Sequence, residues 1–216
     1  MSGDTPKIAS PAVWGAIRWA TRTLVVPYFS YRVRGLDQVP DGGLMVLSNH
    51  QSFADPLFVA VGIPRPVSFM ARSNLFGVPV VGSVLRGAGT IPVNRGGASS
   101  LREPIRRLQA GQCVGLFPEG TRTRDGRVAE VKPGFVALVR RAKVPIVFCG
   151  IAGAFEAWPR TNALPRPGRV RTVLGEPMSS DEVGEWAVKG REAEFAAEAE
   201  RRLKIVTAEA EAWRAA

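Results

Sequence analysis

One histidine, His50, occurs in the 216 residues. Histidine is the side chain whose unperturbed pKa lies nearest neutrality, so proton transfer there has a single obvious carrier. Cysteine is nearly as scarce. Cys113 and Cys149 each lie inside an apolar run, with no CxxC partner and no metal-ligand spacing. They read as buried, reduced thiols of an intracellular protein, not as a disulfide framework or a zinc site. The chain also lacks a GxSxG nucleophile elbow, a Walker A loop and a GxGxxG turn, which argues against a serine hydrolase elbow and a nucleoside triphosphate. No apolar run is long enough to span a bilayer. The best stretch, from Ile8 to Tyr31, is broken by Arg18 and Arg22 and carries Pro11 and Pro27. The same interruptions, with no small-residue cleavage site, argue against a signal peptide. Internal repeats and low-complexity linkers are missing too.

Acidic residues are in deficit: 19 Asp and Glu against 29 Lys and Arg, a formal charge of +10, with a pI near 10.7. Such a chain attracts anionic partners: nucleic acid, acidic lipid or phosphorylated substrates. No nucleic-acid motif accompanies the charge, and most aromatics fall in apolar stretches, so nucleic acid is set aside.

The apolar patterning gives strands at Leu44–Ser48, Val67–Met70, Gly89–Val93, Cys113–Phe117, Pro145–Ile151 and Val170–Leu174. Helices are expected at Pro11–Tyr28, Asp55–Val61, Leu101–Gln109 and Gly134–Arg141. Strands alternating with helices predict an α/β domain with a mixed, largely parallel sheet flanked by helices. Residues 1–34 read as an amphipathic membrane-associating segment. Trp14, Ile17, Leu24 and Tyr28 recur at helical spacing, with Arg18 and Arg22 on another face. Residues 35–180 form the central domain, with an exposed Pro- and Arg-rich loop at Trp158–Arg169. Residues 181–216 read as a long helix packed on it, with Phe195, Ala199, Leu203, Val206, Ala210 and Trp213 on one stripe.

Four segments carry the chemistry. In Asn49-His50-Gln51-Ser52-Phe53-Ala54-Asp55 the histidine follows an apolar strand, where open α/β sheets place their reacting groups. Asp55 opens the next helix, with Pro56 at a favoured helix-start position. It either orients the imidazole or merely caps the helix. Gly89–Arg95 is a short strand ending in Arg95, a residue able to grip an oxyanion bidentately. In Phe117-Pro118-Glu119-Gly120-Thr121-Arg122-Thr123-Arg124, Gly120 allows close backbone approach, while Thr121 and Arg122 offer a hydroxyl and a guanidinium. Lys132 follows just before a helix start. Arg95, Arg122, Arg124 and Lys132 together can form one cationic cup. The alternative for this third segment is a basic surface hairpin turning at Asp125-Gly126. Val144–Gly150 is a buried strand expected to wall an apolar cavity. A base beside a phosphate site, with no metal ligands, suits transfer to a hydroxyl.

In order and spacing these segments resemble the four blocks of the glycerolipid acyltransferase family, above all its 1-acylglycerol-3-phosphate acyltransferases. The His-x4-Asp of His50 and Asp55, Gly89–Arg95, Phe-Pro-Glu-Gly-Thr-Arg at Phe117–Arg122, and Val144–Ile151 carry the likeness. Asn94 stands where acidic residues are also common in the family. The resemblance implies that His50 takes the proton of a glycerol hydroxyl while Asp55 orients it. It also implies that Arg95, Glu119, Gly120, Thr121 and Arg122 bind the glycerophosphate; Arg124 and Lys132 are weaker additions. Ser52 is not expected to act as a nucleophile, since no acyl-enzyme is expected. No cofactor is implied. The partners would be a lysophospholipid, an acyl-CoA or acyl-carrier-protein thioester, and an anionic membrane, with the protein peripheral or monotopic on the cytoplasmic face of the cell membrane. Acyl-chain length would be set between Phe69 and Arg86. Glycerol-3-phosphate or another lyso-lipid is the alternative acceptor, and a non-catalytic anionic-lipid-binding protein the remote one.

Overall fold

The computed structural model describes residues 11–94 and 98–216. Seven strands form one sheet: β1 (Arg32–Arg34), β2 (Leu44–Ser48), β3 (Val67–Arg72), β4 (Ile91–Val93), β5 (Cys113–Leu116), β6 (Ile146–Ala152) and β7 (Arg171–Leu174). Their order is β1-β7-β6-β2-β5-β3-β4. From β6 to β4 all neighbours are parallel. β7 runs antiparallel to β6, and β1 runs parallel to β7. The result is a mixed, largely parallel α/β sheet.

Helices cover both faces, so the central strands β2 and β6 are buried at every position and almost wholly apolar. Side chains alternate by period two. Leu44 and Val46 of β2 face the cluster containing Phe58 and Val59. Met45 and Leu47 face the opposite cluster, with Phe135, Leu138 and Phe195. Each large side chain so buried contributes about 1.5–3 kcal/mol. The first face is covered by α1 (Pro11–Ala20) and α2 (Asp55–Gly62). On the second lie α4 (Arg102–Gln109), α5 (Val136–Ala142), α6 (Ser180–Trp186) and the long α7 (Glu192–Ala215). Between β3 and β4 runs a further helix, α3 (Pro79–Gly87).

α7 rides directly on β6. A Cβ at Gly150 would lie 2.4 Å from the backbone carbonyl carbon of Val206. Phe195, Ala199, Leu203, Val206 and Ala210 are buried, as their stripe predicts, and Trp213 is partly buried. Every residue of β6 is buried. This corrects the expectation for Val144–Gly150: β6 is a packed inner strand of the sheet rather than the wall of a cavity.

Two of these elements escape sequence reasoning. β1, Arg-Val-Arg at an exposed edge, is too short to show periodicity. α3 carries β-branched valines and glycines of low helix propensity. The single helix expected over 181–216 is instead two, α6, capped by Ser179 on the Glu182 N–H, and α7, parted at residues 187–191. The N-terminal helix also departs from a single stripe. A π turn at Thr21–Val25 follows α1, and the extra residue rotates the helix face. Trp14 packs on the core, while Trp19, five residues on along α1 and so on another face, and Leu24, in the π turn, stand about 70% exposed. Arg18 bonds the Ile63 carbonyl rather than pointing outward. No helix among the described residues is long and apolar enough to cross a membrane.

Candidate active site

β2 and β5 are parallel neighbours with Leu47 opposite Leu116. The register therefore brings His50 and Glu119, each just past its strand, to the same level at the carboxyl end of the sheet. There the His50 N–H donates to Glu119 Oε1 at 2.8 Å, and the Thr123 N–H donates to the His50 carbonyl at 2.7 Å. The loop after β2 is thus fastened to the loop after β5 through both backbone groups of the histidine. On its other side Asn49 closes a two-way bridge to Ile151 of β6, at 2.9 and 2.8 Å.

Asp55 is the first residue of α2, but it does not cap the helix. Its Oδ2 turns back and accepts the Gln51 and Ser52 N–H groups, each at 2.6 Å, and meets His50 Nδ1 at 2.8 Å. That resolves the alternative left open by the sequence: this carboxylate orients the imidazole. Burial pushes the Asp55 carboxyl above its ordinary value, opposed by its bonds with His50, Ser52 and Gln51. With Nδ1 committed, Nε2 is the ring nitrogen left for a substrate. The ring itself lies on Phe117, with centroids 4.1 Å apart, and Phe117 lies on Phe69 at 5.6 Å. Gly115 makes room for this stack: a Cβ there would come within 2.5 Å of the Phe69 ring. Ser52 is fully buried and its hydroxyl oxygen accepts the Ala54 N–H.

The remaining site residues divide. Arg122 lies on the same side as the His50 loop, its guanidinium over the Phe53 ring at 3.3 Å. Its Nη1 is buried without a hydrogen-bond partner among the described residues. Burial lowers its pKa and nearby Arg160 adds to the effect, while Asp55 opposes it. Gly120 adopts φ +71°, and Lys132 Nζ lies 3.4 Å from where a Cβ of residue 120 would be, so Lys132 folds over the glycine. Thr121 and Arg124 are exposed on the same loop. Arg95 lies outside the described residues.

Glu119 has a different place from the one the resemblance implies. It is 2% exposed, and its second oxygen accepts the Ala129 N–H at 3.1 Å. Both oxygens are spent on holding backbone, and an acid makes a poor phosphate ligand. Burial, with the negative charges of Asp55 and Glu200, raises it to about 7. The loop from Phe117 to Lys132 is irregular rather than a hairpin. Sequence reasoning missed Phe117 as the platform under His50 and Phe53 as the platform under Arg122. Neither leaves a local signal, because each ring pair forms between separate loops. Cys113 and Cys149 are free and buried, and burial raises both thiols to about 12.

Residues 30–152 match the family model described as Acyltransferase. The 1-acyl-sn-glycerol-3-phosphate acyltransferase of Bacillus subtilis is 30% identical over 167 residues, covering 76% of this chain and 81% of the relative. That of Pseudomonas aeruginosa is 31% identical over 176 residues, covering 79% and 66%. The chloroplastic relative BAT2 of Brassica napus is 28% identical over 167 residues, covering 74% of this chain. The chain spans about half the length of that plant relative, 48%. The crystal structure of the 1-acyl-sn-glycerophosphate (LPA) acyltransferase PlsC from Thermotoga maritima shares the fold, with a TM-score of 0.77 at 24% identity over 94% of this chain and 80% of that one.

Proposed function

Because this chain belongs to the acyltransferase family, we propose that it moves a fatty acyl group from a thioester, acyl-CoA or acyl-carrier protein, to the free hydroxyl of 1-acylglycerol-3-phosphate, giving phosphatidic acid. The observation that carries this reading is the 2.8 Å contact between His50 Nδ1 and a buried Asp55 carboxylate. Nε2 is thereby presented as the base. Relatives with that activity in their names support the acceptor.

The reaction needs no acyl-enzyme. Nε2 of His50 takes the hydroxyl proton as the oxygen attacks the thioester carbonyl. The C–O bond forms and the carbonyl electrons move onto oxygen. Collapse of that intermediate breaks the C–S bond, and the imidazolium returns its proton to the departing thiolate. General-base catalysis of this kind is worth about 10²–10⁴-fold; positioning contributes the rest. Arg122, with Gly120, Thr121 and Lys132 on the same loop, holds the acceptor's phosphate, and Arg95 and Arg124 add charge. Glu119 serves the same end indirectly, by fixing the loops. The work is done at an anionic membrane surface on the cytoplasmic side, where the amphiphilic acceptor resides.

The test is transfer from labelled acyl-CoA or acyl-carrier protein to lysophosphatidic acid in detergent micelles, for the parent and His50→Ala. Product from the parent and its loss in the variant is the expected result. Product only with glycerol-3-phosphate or another lyso-lipid would move the assignment to that acceptor. No product with any acceptor would remove acyl transfer altogether.

A further inference from the structure

A second cationic centre lies away from His50, at the β1–β7 edge of the sheet. Arg32 and Arg171 are register partners there. With Ser30, Pro27 and Arg169 they line a recess of about 440 Å³. Arg34 and Arg214 stand beside it: the Arg34 guanidinium lies 3.9 Å from the Trp213 ring centroid, Arg214 Nε donates to the Arg169 carbonyl, and Arg169 Nη1 donates to the Arg214 carbonyl. Among the described residues the one carboxylate bonded to this group is Glu156, which pairs with Arg214. None pairs with Arg32, Arg169 or Arg171.

Arg171 is the telling member. It is 7% exposed, and Nη1 is fixed by the Ser30 and Val170 carbonyls. Its Nε is buried with no hydrogen-bond partner among the described residues. Burial lowers its pKa, and Arg169, Arg32, Arg214 and Arg34 push it further the same way. A buried donor left unmade is expensive, and so are like charges gathered without a counterion. Both defects are relieved by one ligand: an oxyanion.

The surroundings indicate what carries the oxyanion. The recess is built partly from Val26, Pro27 and Ser30, at the end of the N-terminal helical segment. On that segment Trp19 is 70% exposed, Leu24 69% and Tyr28 41%; Tyr28 bonds the Pro165 carbonyl beside the exposed Leu164. Tryptophan and tyrosine favour the membrane–water interface. A soluble anion would gain nothing from these exposed apolar side chains. A phospholipid would gain from both, with its phosphate in the recess and its chains along the N-terminal segment. Ala152 pairs with Arg171, at the carboxyl end of β6. The recess therefore lies at the same end of the sheet as His50, two to three strand spacings, roughly 10–14 Å, to the side.

We propose that this arginine-lined recess is a second, non-catalytic site that binds the phosphate of a bilayer phospholipid and turns the His50 end of the sheet toward the membrane. The inference does not depend on acyl transfer, and its test requires no turnover.

The test is flotation of the full chain with phosphatidylcholine vesicles, with and without phosphatidylglycerol, for the parent and Arg32→Ala/Arg169→Ala. Partition onto the anionic vesicles should fall about ten- to thirty-fold, since each basic residue at such a surface adds about 1 kcal/mol; neutral vesicles should show little change. Arg201→Ala/Lys204→Ala on α7 removes the same charge elsewhere and should have a much smaller effect. Arg32→Ala alone, at an exposed side chain, should lose about five-fold and serves if the double variant melts early. Parent-like binding by the Arg32 and Arg169 variants would overturn the proposal, and so would an equal loss in the α7 variant. Titration with adenosine 3′,5′-bisphosphate supplies the other arm. Saturable binding that vanishes in Arg32→Ala/Arg169→Ala while vesicle binding persists would make the recess a nucleotide site and reject the lipid.

Discussion

The loop after β2 and the β1–β7 edge handle polar groups in opposite ways. Around His50 the backbone groups are spent, although Asp55 Oδ1 and Arg122 Nη1 are buried without a hydrogen-bond partner among the described residues. The histidine's N–H and carbonyl are tied to the β5 loop, Asp55 Oδ2 meets three nitrogens, and Asn49 is bridged to β6. At the edge, arginines are held largely by backbone carbonyls, and all but Arg214 lack a carboxylate partner among the described residues. The first arrangement fixes geometry, and its short buried contacts are little screened by salt. The second stores attraction for something outside. A reacting site needs preorganisation, whereas a docking site needs residual charge.

The largest effect should come from breaking the first region at its centre. His50→Ala and Asp55→Asn should each lower kcat by roughly 10²–10⁴-fold with the far-ultraviolet spectrum unchanged. The double variant should be scarcely worse than either alone, because the two residues act as a unit. Additive losses would show that they act separately.

Gly115→Ala reaches the same site through packing. Its new Cβ must move Phe69, then Phe117, then the imidazole. We expect about a tenfold loss in kcat with KM little altered, and about 1–3 kcal/mol of stability lost to overpacking. Full activity in a destabilised protein would show that the ring stack does not hold the base.

Glu119 sharpens the contrast through pH. Its carboxyl is raised from 4.5 to about 7 in the folded protein. The folded state then binds the proton more tightly than the unfolded one. That contribution is complete below pH 4.5 and is lost as pH climbs through about 7, with a slope of up to about 1.4 kcal/mol per pH unit. Glu119→Gln should remove this dependence. The melting temperature of the parent relative to the variant should therefore fall across that interval, and a constant difference would exclude the assignment.

Salt should produce the smallest change at His50. Between about 0.05 and 0.5 M NaCl, kcat in micelles should vary by less than about twofold, while flotation with anionic vesicles collapses. Parallel losses would erase the distinction between the regions.

Much of this was legible in the sequence. β2 was readable because a strand covered on both faces is a nearly continuous apolar run, here Leu44 to Leu47 before Ser48. The partnership of His50 and Asp55 was legible as a candidate, but the backward turn of the carboxylate was not. Spacing cannot say whether an Asp at a helix start faces along the helix or away from it. Glu119 was misplaced for a related reason: a motif names residues but not which of them face the ligand. β1 and its arginines were invisible, since their meaning arises only when β7 brings Arg171 alongside.

That last pairing also bears on the time course of folding. Arg32 can meet Arg171 only after almost all the intervening chain has been threaded into place, and contacts between such distant residues form slowly. The segment carrying Trp19 and Leu24 is tied to the α2 region by Arg18 and Tyr31, but its β1 end closes only against the strand farthest from it in sequence. Until then its apolar residues are tethered to an unfinished sheet edge, and an anionic surface nearby would compete with the rest of the chain for them. On the proposed docking, the encounter with lipid and the closing of the sheet belong to one kinetic problem.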